Sequence, residues 1–124
     1  MHEISMSEKA LSLMLEKAKK NKLKKIKTAH IIIGSLTLLN HDQIKFWLKE
    51  LSKGTIAEGL LVKIKGQESE ILCRKCGYAG KLKFRENVID HLFLPKFACP
   101  KCDSTEIEIR KGNEFEVEKI IADK

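Results

Sequence analysis

Four cysteines constrain this chain more than any other feature. Cys73, Cys76, Cys99 and Cys102 form two C-x-x-C pairs separated by 22 residues, 77–98, with no cysteine left over. Two thiolates three residues apart in a tight turn both reach one ion about 2.3 Å away, and two such turns complete a tetrahedron. Gly77 after the first pair permits the positive φ that aims amide N–H groups at sulfur, and Pro100 stiffens the second turn. The pattern predicts a zinc-ribbon-like module over 71–105, with one metal ion, zinc, on Cys73, Cys76, Cys99 and Cys102. Such a site is closed and therefore structural.

Other uses of paired cysteines fit less well. A thioredoxin-like redox pair needs a C-x-x-C at a helix N-terminus after a strand, and neither pair has that setting. Cys76-Gly77-Tyr78 and Cys99-Pro100 are similar to rubredoxin iron knuckles, but rubredoxins are acidic and built on aromatic cores. This chain has 24 Lys and Arg against 17 Asp and Glu, a net charge of +7, and 6% aromatic residues. With 43% apolar and 33% charged residues it reads as folded and soluble. Met1 to Ser5 has neither the cationic nor the apolar region of a secretion signal, and no apolar run is long enough to cross a bilayer. The expected setting is the reducing cytoplasm, away from membranes.

Along the chain, Leu11, Met14, Leu15 and Ala18 recur at helical spacing, with Ser5 and Glu8 as a capping box, which predicts a helix over 5–21. Residues 25–34 read as a strand that becomes buried toward its end. Asn40 and Gln43 mark a second cap, Ile44, Trp47, Leu48 and Leu51 give the next helix, and Gly54 stops it. Residues 60–65 alternate as a strand. After the cysteine module, 106–109 and 115–118 alternate strictly and read as two strands joined around Gly112-Asn113. The expected fold is α/β (α+β). Two helices on a mixed sheet form a small two-layer domain from 1–70 and 106–124, and the 71–105 module is inserted into it.

Charge is uneven. Residues 1–27 hold eight lysines against Glu3, Glu8 and Glu16, a net of +5, with seven of them between Lys17 and Lys27. That run suits an acidic partner, yet cations near a helix C-terminus also complement its dipole, and a solvated helix end is the plainer reading.

The N-terminus carries a different donor set. A free α-amine, the His2 backbone nitrogen and His2 Nδ1 close adjacent five- and six-membered chelate rings, an all-nitrogen arrangement suited to square-planar Ni(II) or Cu(II). His91, just before the second knuckle, adds a further ligand if the module folds toward the N-terminus. His30 sits in a strand among isoleucines and is expected to be packed, and His41 lies beside a helix cap in solvent.

Taken together, these segments resemble the HypA/HybF family, the nickel metallochaperones of nickel–iron hydrogenase maturation. The resemblance is carried by Met1-His2-Glu3, Gly54-Thr55-Ile56-Ala57-Glu58-Gly59, the two cysteine pairs with Gly77 and Ser104, and Gly112-Asn113-Glu114-Phe115. It implies a nickel domain with nickel on Met1, His2 and Glu3, structural zinc on the four cysteines, and hand-off with a GTPase partner to the hydrogenase large subunit. Some relatives also serve urease, so urease maturation proteins join the expected partners. The sequence departs from the family's pattern at Asp103, where Gly is common, and at Gly34-Ser35-Leu36-Thr37, where the family commonly has Gly-Glu-Leu.

The competing reading is a zinc-ribbon nucleic-acid module of translation or transcription, drawn from the charge and the knuckles. Against it, aromatics are sparse, the lysines lie far in sequence from the cysteines, and the strands after the module are acidic. An enzyme is not expected. There is no cysteine outside the quartet to act as nucleophile, no Ser/His/Asp order and no glycine-rich phosphate loop.

Overall fold

The apolar stripe through Leu11, Met14, Leu15 and Ala18 lies on one long helix, α1 (His2–Lys20), in the computed structural model of the chain. The structure describes residues 2–82, 85–89 and 92–124; at His2, 85–89 and 92–96 it describes the backbone. α1 begins three residues ahead of the Ser5/Glu8 box expected to cap it, and both residues lie inside the helix. Nothing in 2–5 breaks a helix, and Glu3 places an acidic group in the first turn, where the helix dipole favours it. At the other end Lys22 takes a φ of 55° and the Leu23 amide donates to the Ala18 carbonyl at 2.8 Å. This left-handed cap turns the chain into the next strand and leaves the lysines from Lys17 to Lys27 exposed.

β1 (Lys25–Gly34) has the bounds read from the sequence. α2 (His41–Leu51) starts at the expected cap, with the Gln43 amide donating to the Asn40 side chain at 3.0 Å, and buries Ile44 and Leu48. The remaining strands are β2 (Leu61–Gln67), β3 (Glu70–Cys73), β4 (Ala79–Gly80), β5 (Arg85–Ile89), β6 (Leu92–Lys96), β7 (Ile107–Lys111) and β8 (Phe115–Asp123). β1 is central in a mixed sheet, parallel to β2 and antiparallel to β8. Ala29, Ile31 and Ile33 of β1 and Val62 of β2 point to the helices, where they meet Ala10, Leu11, Met14, Ile44 and Leu48 in the main core. The expected two-layer arrangement of two helices on a mixed sheet is present.

Two features were not read from the sequence. β5 and β6 pair antiparallel between the knuckles, from Arg85↔Lys96 to Ile89↔Leu92. More consequentially, the two alternating segments after the module do not pair with each other. β7 pairs with β3, in the sheet β4-β3-β7, whereas β8 joins β1. β7 thus pairs across the expected 105/106 boundary with the strand that ends in Cys73. A strand with alternating polarity has one face to bury, and its pattern does not say on which sheet.

The two sheets meet where β1 ends. Beyond Gly34 a short 3-10 turn (Ser35–Thr37) buries Leu36 against Ile71 and Leu82, the second, smaller core, with Tyr78 and Ile107 at its edge. The Leu36 amide donates to the Gly112 carbonyl at 2.8 Å, and the Gly34 amide to that of Glu114 at 2.8 Å. Ser69, buried, accepts from the Leu82 amide at 2.9 Å. No helix among the described residues is long and apolar enough to cross a membrane.

Candidate metal centre

β3 ends in Cys73, so the first knuckle is a turn hung directly from a strand. The Gly77 amide donates to the Cys73 carbonyl (3.0 Å) and the Cys73 amide to the Tyr78 carbonyl (2.8 Å), with Gly77 at φ 78°. The second knuckle repeats this geometry residue for residue. The Asp103 amide donates to the Cys99 carbonyl (2.8 Å) and the Cys99 amide to the Ser104 carbonyl (2.9 Å), with Asp103 at φ 64°. The departure at Asp103 is thus absorbed by the backbone: the position demands a left-handed residue, and Asp tolerates that conformation better than most. At Gly77 an added Cβ would meet nothing within 4 Å, so any cost there is conformational. Gly77→Ala is expected to destabilise the knuckle by about 1 kcal/mol and Gly77→Asp by less, read from thermal unfolding of the metal-loaded protein.

The knuckles bring the four sulfurs together, all within 4.8 Å of one another, with Cys73 and Cys99 buried and Cys76 and Cys102 at the surface. Cys73 Sγ lies 3.6 Å from Cys102 Sγ, and Cys76 Sγ lies 3.6 Å from Cys99 Sγ. A tetrahedron with metal–sulfur bonds of about 2.3 Å has edges of about 3.8 Å, so the sulfurs stand where one tetrahedral ion would hold them. Among the described residues they are the one cluster of this kind.

The electrostatics fit a cation as well. Cys73 is lowered to about 6, first by the Cys76 amide, which donates to its sulfur at 3.5 Å, and also by the Lys75 amide, against desolvation. Desolvation of Cys99 is outweighed by the amides of Cys102 and Lys101, the latter at 3.4 Å, and its pKa is also lowered. Cys102 goes the other way, to about 12. The Ser104 amide favours its thiolate, but desolvation and the sulfurs of Cys76, Cys73 and Cys99 outweigh that amide. Four thiolates cannot share this space alone, whereas a dication among them cancels the repulsion and drives off the last protons.

The other expected ligands are placed less fully. His2 opens α1 and Glu3 is half-buried in its first turn. Met1 and His91 lie outside the described residues. His41 is exposed at the start of α2, as expected. His30 is half-buried on the side of the sheet away from the helices, between Lys63 and Lys119 in register. The backbone equivalence of the knuckles was foreshadowed by Gly77, whereas Leu36 and Ser69, which tie the module to the rest, carried no motif.

Comparison with known proteins decides the family. A profile described as "Hydrogenase/urease nickel incorporation, metallochaperone, hypA" matches residues 1–122. The chain belongs to the HypA family. Within it, a protein named hydrogenase maturation factor HypA from Methanothermobacter thermautotrophicus is 39% identical over 124 residues, covering 100% of this chain and 98% of the relative. Its namesake from Pyrococcus furiosus is 30% identical over 135 residues, at 100% and 97% coverage. The fold is shared with the solution structure of the Ni metallochaperone HypA from Helicobacter pylori. The TM-score is 0.66 at 23% identity, over 99% of this chain and 98% of that one. The HypA assignment supports a nickel metallochaperone of hydrogenase or urease maturation with a four-cysteine metal site.

Proposed function

We propose that this chain binds Ni(II) at its N-terminal Met1-His2-Glu3, keeps zinc permanently on Cys73, Cys76, Cys99 and Cys102, and acts in the cytoplasm with a maturation GTPase. The nickel passes to a nickel–iron hydrogenase large subunit; urease maturation is the other destination that the family description allows. The chain performs no catalysis in this reading. One observation carries the division of labour. The four thiols close on one another, leaving no position from which cargo could come and go, so exchangeable nickel needs a second donor set.

The start of α1 suits that second role. The first four amides of a helix have no acceptor within it, so the backbone nitrogens of His2 and Glu3 are free of intrahelical bonds. Together with the α-amine and the His2 imidazole they offer nitrogen ligands at a chain end, where release requires little unfolding. His91, before the second knuckle in sequence, remains a candidate further ligand.

Calorimetric nickel titration of the tag-free, zinc-loaded protein should show one tight site. His2→Ala should weaken it by more than the roughly 10- to 100-fold that loss of an outer-sphere partner costs. Protons compete with nickel for imidazole, so affinity should fall as pH drops through about 6.5, where an ordinary histidine protonates. Equal binding by both proteins, or affinity flat across that range, would refute the N-terminal site.

A further inference from the structure

The mixed sheet buries one face under α1 and α2 and leaves the other bare. The register assembles that bare face in three rows. Leu61, Thr28 and Ile121 form the first, Lys63, His30 and Lys119 the second, and Lys65, Ile32 and Glu116 the third. Leu61 is 51% and Ile121 49% exposed, Lys63, Lys65 and Lys119 are exposed, and Ile32 is half-buried. Among the described residues none of these lysines is in an ion pair; Lys27, just outside the rows, pairs with Asp123 at 3.2 Å.

A parallel pair such as β1–β2 is normally covered on both faces, and here its outer face carries Leu61 exposed and Ile32 half-buried. The middle row, Lys63, His30 and Lys119, holds no carboxylate, and it lies between two rows that carry the apolar side chains, the third with Lys65 and Glu116 at its ends. Rows lie about 6.7 Å apart along the strands, the repeat of alternate residues in an extended chain.

We propose that this face docks an acidic segment of a protein partner. The segment places a carboxylate over His30, Lys63 and Lys119, with apolar side chains two residues before and after it. One seats on Leu61 and Ile121, the other on Ile32. Charge complementarity selects the acid, and the exposed aliphatics select protein over nucleic acid, since the face offers no aromatic ring for a base to stack on. The proposal is independent of the nickel site.

Amide chemical shifts of the zinc-loaded full chain test it, with a blocked five-residue peptide of valine, threonine, glutamate, threonine and valine as probe. Saturable shifts should map to 28–32, 61–65 and 116–121 and weaken with salt. They should weaken about tenfold in the Lys63→Glu/Lys119→Glu variant, with a smaller loss for Lys63→Gln/Lys119→Gln. Both variants change exposed positions; unchanged dispersion of their amide signals confirms that they fold, and an unaltered nickel titration separates this surface from the N-terminal site. Any of four results would overturn the proposal: no saturable binding, equal binding of the same peptide with lysine for glutamate, shifts centred on the 17–27 lysine run, or tighter binding of oligo-dT at this face. Self-association of the chain through these residues would also overturn it.

Discussion

Stripping the metal should unfold the cysteine unit and leave the helical unit standing. A chelator strong enough to compete with four thiolates is expected to collapse the amide signals of 70–82 and 98–111 toward random-coil positions. The signals of α1, β1, α2 and β2 should stay dispersed. The asymmetry follows from the two cores. The main one packs Met14, Ile26, Ile31, Ile33, Ile44, Leu48 and Leu60, all fully buried. The second has Leu36, Ile71 and Leu82, and Leu36 is borrowed from the other unit. So few side chains cannot hold a sheet of short strands, and a structural zinc contributes about 10–16 kcal/mol of apparent binding free energy to such small folds. Cys99→Ala should reproduce the effect without chelator, because it removes a buried sulfur from the quartet and with it the acceptor of the Lys101 amide. Simultaneous loss of both units would mean that they fold as one and would remove the modular reading.

Proton competition gives that prediction a direction. Cys73 and Cys99 lie below the ordinary thiol range, so they ionise readily and begin capture near neutral pH, while Cys102 needs the ion itself to lose its proton. On acidification protons compete with the ion for all four thiolates, and Cys102, whose thiol is raised, takes one back before Cys73 or Cys99, so the cysteine unit should lose its metal and its stability as pH falls.

The metal quartet was legible because its chemistry is local. Two residues at C-x-x-C spacing share a turn whatever the rest of the chain does, and the structure closes them on a tetrahedral edge length. β1 and the Asn40 cap were legible for the same reason: each is decided by a few adjacent residues. What escaped was decided at a distance. The Glu-Ile-Glu-Ile alternation of 106–109 identifies a strand, but its partner is β3, more than 30 residues earlier in sequence, and not the neighbouring β8. Ser5 and Glu8 satisfy a capping pattern that α1, starting at His2, does not need. At Gly34-Ser35-Leu36-Thr37 the departure from the family's Gly-Glu-Leu is what the sequence displays; the residue that matters there is Leu36, whose role appears only once Ile71 and Leu82 are beside it.

Gly34→Ala should be the most damaging single methyl in the α/β unit. Gly34 closes β1 with an ordinary backbone, so the reason for glycine is space. A Cβ there would run into the Gly112 carbonyl group and stand 2.7 Å from the Asn113 nitrogen. Both obstacles are backbone, and that backbone is pinned. The Gly112 carbonyl accepts from Leu36, its amide donates to Glu114 Oε1 at 2.6 Å, and a Cβ on Gly112 would itself stand 2.8 Å from the Ser69 Cα. Relief therefore requires moving the crossover from β7 to β8 away from the end of β1. That breaks the Leu36 and Gly34 amide hydrogen bonds and withdraws Leu36 from the second core. Two lost backbone hydrogen bonds at about 1 kcal/mol each and partial exposure of one leucine at about 1.5–3 kcal/mol sum to roughly 4 kcal/mol. Urea unfolding followed at Trp47 would measure it. Leu36→Ala, which empties the second core without the backbone clash, should cost about 2–4 kcal/mol and act mainly on the cysteine unit. If Gly34→Ala proved harmless, the close approach of the two sheets at Gly112 could not persist in solution, and the junction through which the cysteine unit is held to the helical unit would have to lie elsewhere.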